Sequence, residues 1–211
     1  MRMRGKYFWI FLFLPLLCWS GEKKLTEEWK KLSPREKKEL ESGKVIYKSV
    51  KYTAPEGKIK GYGESIVIIN APIEKCWEIF TKFDQQQEYF PRKTASIILE
   101  QKPGFALVLK RFKFFGFTVE YAIKYQIDPQ NYRIDFELDP SQPHDIKDTA
   151  GFFLFEKLSG QKTLFIYGVT RLDTGIKVPS FIQKYLQKKD LPEVADNVRK
   201  RIESGGTWRK K

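Results

Sequence analysis

From Phe117 to Ile127 every second position is apolar: Phe117, Val119, Tyr121, Ile123, Tyr125 and Ile127, with Thr118, Glu120, Lys124 and Gln126 among the residues between them. That two-residue period predicts a β-strand with one covered face and one wet face. After Asp128-Pro129-Gln130-Asn131 the alternation resumes as Tyr132, Ile134, Phe136 and Leu138 against Arg133, Asp135 and Glu137. Two such runs around a turn pair as an antiparallel hairpin. What covers the apolar face of this hairpin, and how completely, bears directly on function.

The same pattern places further strands over Lys44 to Tyr52, Ile59 to Asn70, Thr94 to Gln101, Phe105 to Phe115, Ala150 to Leu158 and Thr163 to Leu172. Turn residues separate them, including Pro55-Glu56-Gly57, Pro103-Gly104, Ser159-Gly160 and Asp173-Thr174-Gly175. Short connections predict one antiparallel meander. Phe152 to Phe155 are apolar without a break, so alternation does not say which of them point inward.

Helical spacing appears in three places. Thr26 to Trp29 and Ser33-Pro34-Arg35-Glu36 start two short helices, the second with a capping Ser, Pro in its first turn and Glu three places on; Gly43 ends it. This arm has few apolar residues, chiefly Leu25, Trp29, Leu32 and Leu40, and is expected to lie on the surface without a core of its own. A second helix starts at Ala71-Pro72 with Ile73, Trp77 and Phe80 at helical spacing, followed by Asp84 to Glu88 and Tyr89-Phe90-Pro91. The third follows Pro179 with one apolar stripe of Ile182, Tyr185, Leu186, Val194, Ala195, Val198 and Ile202. Asp190-Leu191-Pro192-Glu193 inside it reads as a fresh capped start, so a kink or restart is expected there.

The first residues have a different character. Arg2, Arg4 and Lys6 precede an unbroken apolar run from Tyr7 to Trp19, the layout of a secretory signal over residues 1–20. The run is short for a helix that needs about 20 residues to cross a bilayer. Cys18 and Ser20 put small side chains where a signal peptidase needs them, so export with cleavage after Ser20 is the leading expectation. An uncleaved anchor and a lipidated Cys18 are the alternatives, the latter lacking the usual small residue before the cysteine. Without residues 1–20 only Cys76 remains, so no internal disulfide holds the fold. The formal charge then falls from +13 to +10. An exported basic protein rarely meets nucleic acid, and anionic lipid is the commoner polyanion there, so no nucleic-acid partner is expected. Trp208, Arg209, Lys210 and Lys211 end the chain as a basic tail over 204–211, suited to an anionic membrane surface or simply frayed.

No nucleophile motif, His and Cys ligand pair or glycine-rich phosphate loop is present, and no metal or cofactor is expected. The single histidine, His144, lies in a Ser141 to Asp145 loop. Glu120 and Asp135 sit on the polar phase of their strands.

Two strands, a helix pair beginning Asn70-Ala71-Pro72-Ile73-Glu74-Lys75-Cys76-Trp77, a Tyr89-Phe90-Pro91 ending, a strand run containing Gly151 to Phe155 and a last helix with Leu191-Pro192-Glu193-Val194 stand in a telling order. It resembles the helix-grip fold of the START-like (SRPBCC) superfamily, in the branch of polyketide-cyclase-like and coenzyme-Q-binding Coq10-type proteins, over roughly residues 60–203. The resemblance implies an α+β domain, here 44–203 behind an arm at 21–43, with a curved antiparallel sheet wrapped around the last helix. It also implies a cavity between them for a lipid, sterol, isoprenoid quinone or polyketide-like molecule. The nine aromatic residues between Phe105 and Phe136 agree with such a cavity. The expected lining is Trp77, Tyr121, Tyr125, Phe136, Phe153, Tyr167, Phe181 and Tyr185. Binding without catalysis is the favoured reading; a cyclase- or hydrolase-like enzyme using the same cavity is the alternative.

Overall fold

The computed structural model describes residues 27–53, 59–114, 116–175 and 189–211. Residues 1–20, on which the export reading rests, and Phe181 and Tyr185 of the expected lining lie outside the described residues.

Alternating strands give one eight-stranded antiparallel sheet. Its members are β1 (Ile46–Thr53), β2 (Ile59–Ile69), β3 (Lys93–Lys102), β4 (Phe105–Phe114), β5 (Phe117–Asp128), β6 (Arg133–Leu138), β7 (Asp148–Ser159) and β8 (Lys162–Asp173). The order is β1-β2-β8-β7-β6-β5-β4-β3: the last six strands meander as expected, and β8 then pairs with β2. Tyr125 lies opposite Phe136 and Ile127 opposite Ile134, so the hairpin read from alternation has the register that alternation requires. Register shifts in the β3–β4 and β7–β8 pairs mark bulges, which increase twist and let the sheet curve.

Residues opposite one another across a ladder share a face. The pairs Lys110 and Tyr121, Tyr125 and Phe136, Ile134 and Phe153, Phe153 and Tyr167, and Phe155 and Phe165 therefore define one inner face. α3 (Ile73–Phe80) and α4 (Leu191–Glu203) cover part of it. Ile73, Cys76, Ile79 and Phe80 from α3 and Val194, Ala195, Val198 and Ile202 from α4 join Val67, Ile69, Phe153, Phe155 and Phe165 in a single core. Gly151 is needed here: a Cβ on it would stand 2.1 Å from the Gly168 carbonyl oxygen and 2.5 Å from the Phe136 ring.

A π turn at 189–190 leads into α4 and the expected cap is absent; the first half of the helix read from the sequence lies outside the described residues, so the kink or restart is not tested. Asp190 has helical φ and ψ and makes no capping hydrogen bond; its carboxylate pairs with Arg92 instead.

α1 (Glu27–Lys31) and α2 (Pro34–Glu41) form the arm, and the capping box is complete. Ser33 Oγ accepts from the Glu36 N–H at 3.3 Å while the Glu36 carboxylate accepts from the Ser33 N–H at 2.7 Å. The arm does more than rest on the surface. Leu32 and Leu40 are buried against Ile46, Ile66, Ile68, Leu164 and Ile166 on the outer face, making a second core that its sparse apolar content did not suggest. This contact explains the apolar run in β7: Phe153 and Phe155 face inward, while Phe152 and Leu154 pack toward the arm.

The basic tail is docked rather than frayed. Gly205 and Gly206, at φ of 70° and 88°, turn the chain back after α4. Trp208 packs half-buried on the inner core, and its carbonyl accepts from Arg201 at 2.9 Å. Arg209 pairs with Glu88 at 3.1 Å, and the Lys210 ammonium donates to the carbonyls of Phe90 and Lys93 at 2.6 and 2.5 Å. Among the described residues no helix is long and apolar enough to cross a membrane.

Candidate functional site

The inner face changes character from one end to the other. Under α3 and α4 it is closed by interlocked rings: Phe80 lies 4.8 Å from Phe153, 5.2 Å from Phe155 and 5.6 Å from Phe165, centroid to centroid. Phe83, from the 3-10 turn Phe83–Glu88, stacks on Tyr125 at 4.4 Å. The expectation of an unfilled interior therefore fails beneath α4, because aromatic side chains from the helix pair fill it.

Toward the β4–β5 turn the cover thins. Phe112, Phe114, Val119, Tyr121, Tyr167 and Val169 on the inner face are all half-buried, although their strands continue the same apolar phase. Phe112 stacks on Tyr121 at 5.7 Å and Tyr167 on Phe153 at 4.8 Å, so flat ring surface leads from the solid core into the partly open region. Burial holds the hydroxyls of Tyr121 and Tyr167 above the ordinary tyrosine range, each also influenced by a neighbour: Tyr167 for Tyr121 and Asp190 for Tyr167. Neither hydroxyl makes a hydrogen bond among the described residues.

Two lysines lie on this face, and the sequence reading named neither. Lys110, only 6% exposed, sits opposite Tyr121 across β4–β5 and opposite Ser96 across β3–β4. Its ammonium is 4.7 Å from the Tyr125 ring centre and 5.6 Å from that of Phe136. No hydrogen-bond acceptor or carboxylate among the described residues partners it, and burial pushes its pKa down to about 7. Lys93, 1% exposed, donates to Gln86 Oε1 at 2.8 Å and lies 4.0 Å from the Phe90 ring centre. Burial, and then the nearby Lys110, hold Lys93 well below the lysine range. The signal for Lys110 was available: it stands in phase with Ala106, Val108, Phe112 and Phe114, at a position alternation reserves for apolar residues.

Of the expected lining, Tyr125, Phe136, Phe153 and Tyr167 come together, with Phe136 5.2 Å from Phe153, 6.2 Å from Tyr167 and 6.5 Å from Tyr125. Tyr121 lies beside them at the half-open end. Trp77 is elsewhere: on α3 it meets Tyr132 and Phe155 edge-on at 5.5 and 6.2 Å, against the closed end. His144 is exposed, its Nδ1 2.8 Å from the Gln142 carbonyl oxygen. Glu120 and Asp135 are taken up in ion pairs with Arg111 and Arg133. Cys76 is a free buried thiol whose pKa burial pushes up to about 11, so it stays protonated and unreactive at neutral pH.

A second hollow, of about 340 Å³, lies on the outer face between the arm and the sheet and is lined by residues including Lys31, Tyr62, Glu64, Arg133 and Phe152. Its cations have partners, Lys31 with Glu28 at 2.7 Å and Arg133 with Asp135 at 2.6 Å. The half-open inner face, where Lys110, Tyr121 and Tyr167 lack hydrogen-bond partners among the described residues, is the stronger candidate.

No family model and no curated protein matches the chain. Solved structures do. A START superfamily protein from Mycobacterium smegmatis shares 17% identity at a TM-score of 0.56, over 77% of this chain and 99% of that one. A STAR-related lipid transfer protein from Xanthomonas axonopodis aligns at 10% identity and a TM-score of 0.60, covering 75% of this chain and 93% of that one. An aromatase/cyclase, ZhuI, from Streptomyces sp. R1128 aligns at 17% identity and a TM-score of 0.55, over 76% and 99% of the two chains. The sheet order, the two helices packed on its inner face and these likenesses together give the chain a START-like helix-grip fold.

Proposed function

We propose that this is an exported protein that binds or transfers one hydrophobic molecule without catalysis, holding it on the inner face of the sheet. The observation that carries the reading is the half-buried run of Phe112, Val119, Tyr121, Tyr167 and Val169 continuing a fully packed aromatic core. Apolar surface of this kind gains about 25 cal/mol for each Å² withdrawn from water, so a lipid, sterol, isoprenoid quinone or polyketide-like molecule has a reason to lie there. The fold neighbour named as a lipid transfer protein supports the same class of cargo. Native mass spectrometry and solvent extraction of protein purified from its own host test the reading. A co-purifying hydrophobic molecule in stoichiometric amount supports it, and protein that emerges empty and takes up no offered lipid or quinone opposes it.

A cyclase- or hydrolase-like enzyme working in the same space is the second reading. It draws on the neighbour named as an aromatase/cyclase and on Lys110, Tyr121 and Tyr167, whose polar groups make no hydrogen bond among the described residues, whereas the exposed His144 lends it nothing. Contact with an anionic membrane surface belongs to the proposal as well. Trp208 and Lys210 are engaged within the fold, and the exposed charges of the tail are Arg209, which also pairs with Glu88, and Lys211. Co-sedimentation with anionic vesicles, compared between the native protein and an Arg209→Glu, Lys211→Glu variant, tests that part: equal sedimentation removes it.

A further inference from the structure

A buried cation without a counter-ion is an unfinished pair. Lys110 is anchored on the middle of β4 with its ammonium between the faces of Tyr125 and Phe136, and no acidic group among the described residues approaches it. The titratable groups facing it are Tyr121 and Tyr125 from β5 and Lys93 from β3, none of which offers a negative charge at neutral pH. Asp190, which acts on Tyr167, is committed to Arg92. Ring faces attract a cation weakly compared with an ionised oxygen in a dry site. A protein that only needed packing here would place a leucine or methionine in this phase of the strand, as it does with Val108 on one side and Phe112 on the other.

We propose that Lys110 receives the acidic head group of the bound molecule, so that the cargo is an anionic amphiphile, carboxylate or phosphate monoester, inserted head first. This rests on the carrier reading and narrows it. Successive inward positions along a strand are about 7 Å apart, so Lys110 lies one step inside Phe112 and two inside Phe114. The ammonium is therefore at the inner limit of the half-open region, with an aromatic wall running outward from it for the apolar part of the cargo. The hydroxyl of Tyr121, opposite Lys110 in the ladder and without a hydrogen bond among the described residues, is placed to donate to the same head group. Binding completes the ion pair and holds the proton on Lys110, whose pKa burial alone lowers to about 7.

The test compares three ligands with one chain and three heads, dodecanoate, dodecyl phosphate and dodecanol, titrated calorimetrically into delipidated full-length protein and its Lys110→Met variant. The native protein should bind at least one acid about tenfold or more tightly than the alcohol. Whichever acid is tighter separates a fatty-acid-like cargo from a phosphate-bearing one. In the variant that preference should vanish, acid and alcohol binding with similar affinity. Lys110→Arg, which keeps the charge, should retain it. A readout independent of any variant is proton uptake: at pH 7, titration in buffers of different ionisation heat should show about half a proton taken up per dodecanoate by the native protein. Equal affinity for acid and alcohol in the native protein, or no proton uptake, overturns the role of Lys110 and leaves the carrier reading standing. Failure of all three ligands, the alcohol included, removes the carrier reading itself and this proposal with it.

Discussion

Replacing Lys110 by methionine should make the empty protein more stable, and by an amount that depends on pH in a defined way. Methionine fills nearly the same volume without a charge, so packing against Tyr125 and Phe136 is kept. In the native fold burial lowers the Lys110 pKa from 10.5 to about 7. At about 1.4 kcal/mol per pH unit, keeping the ammonium inside costs on the order of 5 kcal/mol wherever it is charged in both states. The folded-state value lies below the unfolded one, so the unfolded chain holds the proton more tightly. The cost is present in full below pH 7, declines as pH rises from 7, and is gone near pH 10.5. Lys93 and Lys210, also lowered by burial, titrate in both proteins, so the difference between native and variant isolates Lys110 together with its repulsion of Lys93. Urea unfolding at pH 6.5, 8 and 9.5 reads this directly. The variant should be several kcal/mol more stable at pH 6.5, with the gap shrinking at each step upward. A variant less stable than the native protein at pH 6.5, or a gap that stays constant across the series, would refute the claim that Lys110 is a buried charge whose cost no counter-ion offsets.

Other expectations follow from the packing. Gly151→Ala puts a Cβ against the Gly168 carbonyl and the Phe136 ring, so thermal unfolding should show a loss of roughly 3 kcal/mol or more, or no folded protein. Glu88→Ala leaves the buried Arg201 without the carboxylate 2.8 Å away; denaturant titration should register about 3 kcal/mol of destabilisation, and the tail should become protease-sensitive because Arg209 loses the same partner. Ser33→Ala removes one half of the arm's capping box and should cost about 1 kcal/mol at most, with Leu32 and Leu40 still holding the arm to the sheet.

The sheet was legible because most of its strands have one wet face, and a wet face forces alternation: β5 and β6 could be read as an antiparallel hairpin from that pattern alone. β7 was legible as a strand but not in its facing, since the arm dries its outer side and Phe152 and Leu154 are as apolar as Phe153 and Phe155. The arm itself was misjudged because a second core can rest on two well-placed leucines. Asp190 matched a cap in spacing alone; its carboxylate answers to Arg92, 98 residues away, which no local pattern reveals. Tyr121, Tyr125 and Phe136 were legible as inward-facing because rings on the covered phase of a strand announce themselves. Trp77 joined the list on the same argument but packs at the closed end, since helical spacing says which way a side chain faces and not which neighbours it meets. Lys110 went unremarked because a lysine in the apolar phase reads as noise until the ladder places it among Tyr121, Tyr125 and Phe136.

The most direct measurement for the central claim is photo-cross-linking of the full-length protein with a fatty acid carrying a diazirine on its chain, followed by peptide mapping. The account expects labels on the inner face, in peptides containing Phe112, Tyr121 or Tyr167, and expects unlabelled dodecanoate to compete them away. Labels confined to the outer hollow beside Tyr62 and Phe152, or scattered without competition, would contradict it.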